Sequence, residues 1–321
     1  MEKGNSELDI ESITRDCGLN NPDLKLTDII KNITAIPELY SNTDTVKIYN
    51  YFLSECKNPT ILQEIIRLED RYRDKTTVPV LIDILLGKTI SLEEENSDTL
   101  INLRVLSAKA IANIKDTTAV HALLHCLNNK NENYKVRFAC ADALGKIGDK
   151  YAVAPLIEVV KDEDEKSIYL RESAASALGQ LGDKRAIDSL VGILETRNGL
   201  IDKFTFLKER VLEALGKLEA TKDKRVFKAL KNSLQDESSQ IRINAIEALM
   251  ESETDEAYEL VLNCLFDNDE EVKRNALIAA YNMRGRHILD EIIEDKKYDT
   301  FLKEEAKELI NEYEKEDINE K

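Results

Sequence analysis

VRFACADALGKIGDKYAVAPLI, residues 136–157, and LRESAASALGQLGDKRAIDSLV, residues 170–191, are two copies of one phrase, and that phrase decides how the chain folds. Set in register, they match Arg137 with Arg171, Ala143, Leu144 and Gly145 with Ala177, Leu178 and Gly179, and Gly148, Asp149 and Lys150 with Gly182, Asp183 and Lys184. The basic residue that opens the phrase returns as Arg104, Arg137, Arg171, Lys208, Arg242 and Lys273, at intervals of 33, 34, 37, 34 and 31 residues. A fixed period of about 20 to 50 residues marks a repeat architecture, in which stacked units share one continuous core that no single unit could form.

Each unit reads as a pair of helices. Val136, Ala139, Cys140, Ala143, Leu144 and Ile147 recur at steps of three and four and define one apolar helical face. Gly148 and Asp149 interrupt it, because glycine tolerates the left-handed backbone that ends a helix and aspartate caps the next one. A second periodic run follows at Ala152, Val153, Leu156, Ile157 and Val160. Small residues such as Ser173, Ala174, Ala175 and Ala177 let second helices approach closely, while the Leu and Ile of first helices fill the groove at about 0.8 kcal/mol per buried methylene. Acidic residues stand shortly before several markers: Asp162 and Asp164 before Arg171, Asp236 before Arg242, Asp267 and Asp269 before Lys273. The markers are therefore expected to form an internal acid–base ladder rather than a basic binding stripe.

Composition supports a nearly all-helical chain. Of 321 residues 42% are hydrophobic and 33% charged, with 11 Gly, 5 Pro, 6% aromatics and no Trp. The net charge of -17, from 45 basic and 62 acidic side chains, opposes binding to phosphate backbones and anionic membranes. The longest apolar run, VPVLIDILL at residues 78–86, is interrupted by Asp83 and too short to span a bilayer, and no secretory signal opens the chain. A cytoplasmic protein is expected. Five cysteines without a C-x-x-C pair are read as reduced, mostly core thiols.

The pattern V-R-x-x-A-x-x-A-L-G-x-I-G-D-x-x-A-V-x-x-L, from Val136 to Leu156, resembles HEAT repeats of the short kind first noted in phycobilisome lyases. The resemblance covers roughly residues 60–315 and implies an all-α fold, a right-handed α-solenoid (superhelix) of HEAT-like helix pairs. The expected division is an irregular or partly helical N-terminal segment at 1–42, with helices near 7–14 and 26–35, a solenoid at 43–315, and a disordered acidic tail at 316–321. Tetratricopeptide and ankyrin signatures are absent. Two segments break the period. KTISLEEENSDT at 88–99 reads as an exposed acidic loop. In RNGLIDKFTF at 197–206, Leu200, Ile201, Phe204 and Phe206 are expected to cover the core, a partner-binding lip being the alternative.

His121 and His125 share a helical face and could hold a metal, but their counterparts in later repeats (Ala154, Asp188 and Lys228; Glu158, Gly192 and Asn232) mark a solvated outer face. His121, His125 and His287 are followed by Ala122, Cys126 and Ile288, so the repeated His-Glu pairs of deoxyhypusine hydroxylase, a di-iron enzyme on a similar scaffold, are missing. No nucleophile–base set or phosphate-binding glycine loop is present. Catalytic residues, cofactors and metals are not expected.

In HEAT arrays the second helices line the concave side, so the resemblance places positions one, five and nine after each marker on a groove. Phe138, Asp142, Glu172, Glu209, Glu213, Ile243, Glu247, Glu251 and Ile278 fall there and form the expected partner-binding set, acidic with apolar anchors at Phe138, Ile243 and Ile278. An ordinary solvated helix surface is the competing reading. The expected partner is a protein with a basic or mixed basic and apolar surface, neither nucleic acid nor membrane. The expected function is a non-enzymatic scaffold or adaptor. The resemblance alone implies the alternative, a lyase or lyase subunit or chaperone acting on a tetrapyrrole (bilin)-bearing protein.

Overall fold

A computed structural model describes residues 8–19, 21–89, 98–195, 205–218, 220–252 and 254–319. Among them every regular element is an α-helix or a short 3₁₀ turn, and the chain is an all-α solenoid of HEAT-like helix pairs. Its contacts divide it into two compact units, 1–155 and 156–321.

The first unit runs through α1 (Ile10–Cys17), α2 (Leu26–Thr34), α3 (Ile36–Leu39), α4 (Asn42–Glu55), α5 (Pro59–Glu69), α6 (Val78–Leu85), α7 (Asp98–Ile114), α8 (Val120–Asn128) and α9 (Tyr134–Ile147), and ends within α10 (Val153–Lys161). The N-terminal helices are tied in by Tyr49, fully buried on α4, whose hydroxyl donates to the Ile33 carbonyl at 3.1 Å. The second helices α7 and α9 pack together, with α6 against α7 and α8 against α9.

The second unit continues with α11 (Ile168–Leu181), α12 (Ile187–Glu195), α13 (Thr205–Lys217), α14 (Lys224–Ser233), α15 (Ser239–Met250), α16 (Asp255–Cys264), α17 (Glu270–Arg284), α18 (His287–Glu294) and α19 (Thr300–Asn319). Its second helices α11, α13, α15 and α17 pack side by side in chain order, and α19 closes the series against α17 and α18.

Local chemistry builds the pairs as the phrase implies. Gly148 and Gly182 take φ of 83° and 64°, the left-handed C-cap. Asp149 and Asp183 then accept the backbone N–H of Tyr151 and Arg185 at 2.9 and 3.0 Å. Asp74 and Asp116 do the same for Thr76 and Thr118, both at 2.8 Å. Each of these caps opens a 3₁₀ turn, such as Lys150–Ala152 or Lys184–Ala186, before the first helix proper. Gly179 has a different role: a Cβ there would lie 2.8 Å from the Ala214 Cα, so glycine is what lets α11 and α13 touch.

The marker residues form the ladder, with a second function that spacing alone did not show. Their side chains reach forward to the next repeat: Arg104 to Glu132 at 2.5 Å, Lys208 to Asp236 at 3.1 Å, Arg242 to Asp267 at 2.8 Å and Lys273 to Asp299 at 2.6 Å. The arginines also reach back. The Nε of Arg104, Arg137 and Arg171 donates to the carbonyls of Leu85, Leu127 and Val160 at 2.7, 2.9 and 2.9 Å, satisfying C-terminal carbonyls of the preceding first helix.

One expectation needs correction. Phe206 does not cover the core: it stands at the start of α13 with 62% of its surface exposed. The last helix, α19, runs from Thr300 to Asn319, over a stretch rich in the helix formers Glu and Lys. Of the two period-breaking segments, 90–97 and 196–204 lie outside the described residues, and with them Leu200, Ile201 and Phe204.

Candidate functional site: the second-helix face of the second unit

Residues spaced i, i+3, i+7 and i+11 form one stripe along a helix. Starting two residues before each marker, the stripes are Tyr169, Glu172, Ser176 and Gln180 on α11, and Phe206, Glu209, Glu213 and Lys217 on α13. Next come Gln240, Ile243, Glu247 and Glu251 along α15 and its C-cap, then Glu271, Arg274, Ile278 and Asn282 on α17. Because α11, α13, α15 and α17 are neighbours in that order, the stripes lie side by side.

The carboxylates on this face differ in their surroundings. Glu172 is half-buried, and burial raises its pKa, with the charge of Glu209 adding to the rise and Arg210 opposing it. Glu209 is only 7% exposed; burial raises its pKa as well, against the pull of Arg210. Among the described residues its carboxylate makes no hydrogen bond or ion pair. Glu213 is clamped instead, by Arg210 and Lys217, each at 2.6 Å. Glu247 on the neighbouring α15 is an exposed residue whose pKa is nonetheless raised, by partial desolvation of its carboxyl first and by the Glu213 charge second. Glu251, the C-cap of α15, is exposed.

The apolar positions divide. Ile278 is half-buried, but Ile243 is 6% exposed and belongs to the core, so the anchor expected there is not offered to a partner. The helix that carries it, α15, packs against α13, α14, α16 and α17. Phe138 and Asp142 are on α9 of the first unit. Phe138 is 40% exposed, and Asp142 pairs with Lys146 at 2.8 Å.

At the far end of the face Arg274 is fully engaged. Its Nε and Nη2 donate to both oxygens of Glu305 at 2.9 and 2.6 Å, Nη1 donates to Glu271 at 2.6 Å, and the guanidinium lies 5.4 Å from the Phe301 ring centroid. Sequence reasoning overlooked Tyr169 and assigned Phe206 to the core, with a partner-binding lip only as the alternative. Both are large, 61% and 62% exposed, and hold the same place, two residues before the marker, in adjacent repeats. That shared place was the available signal.

His121 and His125 are exposed as expected. His121 stacks edge-on with Tyr151, centroids 5.2 Å apart, and both histidines line an open cavity of about 620 Å³ in the first unit. Among the described residues no group of three or more His, Cys, Asp or Glu is placed to hold a metal ion. All five cysteines are buried and unpaired by disulfides. No helix of the described residues is long and apolar enough to cross a membrane.

Stacked antiparallel helix pairs with a glycine–aspartate turn and an arginine ladder define an α-solenoid repeat protein. More narrowly, the chain belongs to the HEAT-repeat family: the model described as HEAT repeats matches residues 90–169, 133–203 and 200–282, together more than half of the chain. It is 33% identical over 181 residues to the phycocyanobilin lyase subunit alpha of Picosynechococcus sp., a match that spans 51% of this chain and 64%, just under two thirds, of that protein. Among solved structures it is similar to the complex of CpcE and CpcF of phycocyanin lyase from Nostoc sp., with 25% identity, TM-score 0.47, and coverage of 74% of this chain and 87% of that one. It is also similar to Kap121p bound to Pho4p, with 12% identity, TM-score 0.51, and coverage of 92% of this chain and 35% of that one, a likeness of fold alone.

Proposed function

We propose that this chain works by binding a protein partner along the second-helix face of its second unit, and that the partner presents basic groups there. The observation that carries this is the set of Glu172, Glu209 and Glu247. Glu172 is half-buried, Glu209 largely buried and Glu247 exposed, and partial desolvation on one face raises the pKa of each, so that a cationic surface would relieve a cost the free protein bears. Ile278 supplies a half-buried apolar contact beside them.

Two finer readings share this surface. As a scaffold or adaptor, the chain would bind and do no chemistry. As a subunit of a lyase acting on a tetrapyrrole-bearing protein, it would bind that protein or a companion subunit. The second reading has the more direct support, because the relative at 33% identity is a phycocyanobilin lyase subunit.

The test has two arms. The doubly reversed Glu247→Lys, Glu251→Lys variant should lose a partner that the wild type retains in native affinity capture, with its far-UV circular dichroism unchanged; equal retention would sink the assignment of the face. Separately, the protein is mixed with a free bilin and an apo-acceptor protein, and the products are resolved under denaturing conditions. Bilin colour on the acceptor supports the lyase reading, and an acceptor that stays colourless both with the chain alone and with its captured partner added supports the adaptor.

A further inference from the structure

The chain itself shows what a guanidinium does on this scaffold. On α19, Phe301 and Glu305 stand one helical turn apart, and Arg274 of α17 is held by both, ring on one side and a two-pronged carboxylate contact on the other. The ring supplies its negative face and the carboxylate its charge, and a planar guanidinium satisfies both at once.

The same order, ring then carboxylate one turn later, occurs twice more in the second unit. Tyr169 precedes Glu172 on α11, and Phe206 precedes Glu209 on α13. Both rings are open to solvent, at 61% and 62% exposure, and they head adjacent helices. Neither carboxylate has a hydrogen bond to a cation among the described residues. The nearby Arg210 is joined to Glu213 instead, at 2.6 Å. On a residue as buried as Glu209, a carboxylate with no hydrogen-bond donor among the described residues is costly to keep charged, and a donor arriving from outside would lower that cost.

We infer that Tyr169 with Glu172 and Phe206 with Glu209 are two neighbouring subsites for basic side chains, arginine above lysine, carried by one extended segment of a protein partner. The inference rests on the protein-binding reading above and narrows it. Packed helices lie about 8–10 Å apart. A polyproline II segment rises about 3.1 Å per residue with three residues per turn, so residues i and i+3 share a face about 9 Å apart. The segment that fits is therefore Arg-x-x-Arg in polyproline II form. Arginine is favoured because its flat group can stack on a ring while donating to a carboxylate.

Fluorescence anisotropy with the full-length protein tests this, using a labelled Gly-Arg-Pro-Pro-Arg-Pro-Gly peptide and the same peptide with Gln at both Arg positions. The Arg peptide should bind and the Gln peptide should not. Glu209→Gln and Phe206→Ala should each weaken the Arg peptide by about tenfold or more, the first without any packing change because Gln is nearly the shape of Glu. Equal binding of the two peptides, or an Arg-peptide affinity unchanged in either variant with its circular dichroism intact, would overturn the subsites. A native partner retained equally by wild type and by the combined Tyr169→Ala, Glu172→Gln, Phe206→Ala, Glu209→Gln variant would overturn them too, while leaving the protein-binding array standing. If the Arg peptide binds as expected and the Glu247→Lys, Glu251→Lys variant keeps its partner, the subsites survive and the wider face does not.

Discussion

Arg274 on α17 and Glu209 on α13 occupy the same place in their repeats, one residue after the marker, yet one is closed and the other open. Arg274 meets the terminal helix α19, which supplies Glu305, Phe301 and a finished set of contacts. Glu209 is as much a part of the second-helix face, but among the described residues it has only the nearby charge of Arg210 and no hydrogen bond or ion pair. The difference shows how a solenoid makes a site without special machinery. At the C-terminal end of the second unit the terminal helix satisfies the stripe from within, whereas on α13 Glu213 is paired within its own helix and Glu209 is not.

The sharpest way to break this contrast is to part the helices that carry the open end. Gly179→Val would push a branched side chain into Ala214 and cost on the order of 2 kcal/mol, read as a lowered urea midpoint. Gly216→Ala is the control one repeat on. Its new Cβ would lie 3.8 Å from Ala248, ordinary contact, so the gain in helix propensity, up to about 1 kcal/mol, should leave the protein at least as stable as wild type. A destabilised Gly216→Ala would mean that the α13–α15 seam is as tight as the α11–α13 seam.

Next in size is the closed end. Glu305→Gln keeps the shape but removes the charge that holds Arg274, and should cost about 1 kcal/mol near neutral pH. Its pH dependence has a definite sign. The Arg274 guanidinium lowers the Glu305 pKa below its usual 4.5, so this contribution is present above that pH and is lost as pH falls through the folded value. The wild-type advantage over Glu305→Gln should therefore vanish in acid melts.

The smallest effect is at the open end, and it runs the other way. Burial holds the Glu209 pKa above 4.5, so the native state is at its most stable below the unfolded value and loses stability as pH rises through the raised folded one. Glu209→Gln should melt at or above the wild-type temperature at pH 7 to 8 and converge with it below about pH 4.5. A lower melting temperature for Glu209→Gln at pH 8 would mean that its carboxylate is held by an internal partner and that the site is closed.

Much of this was visible in one-dimensional form. The Arg, Ala-Leu-Gly and Gly-Asp phrase predicted helix pairs, their turns and an acid–base ladder, because helical period, capping and glycine's left-handed backbone are local properties. Placing Glu172, Glu209, Glu213 and Glu247 on one face followed from counting along a helix. The count could not say that Ile243 is buried or that Phe206 is exposed, whereas the pairing of Glu213 with Arg210 and Lys217, three and four residues away on the same helix, was within its reach. Nor could it show the back-reaching hydrogen bonds of Arg104, Arg137 and Arg171, since each joins groups that only helix packing brings together.

By itself, then, the amino-acid sequence determined the repeat, the helices, their punctuation and the charge of the exposed stripe, all of which depend on residues within a turn or two of one another. Tertiary structure alone decided which members of that stripe are spent on the protein and which remain available. Exposure, pairing and pKa depend on what stands within a few ångströms: Glu213 finds its partners three and four residues away on its own helix, but Arg242 and Arg274 find theirs 25 and 31 residues away, where only helix packing brings them.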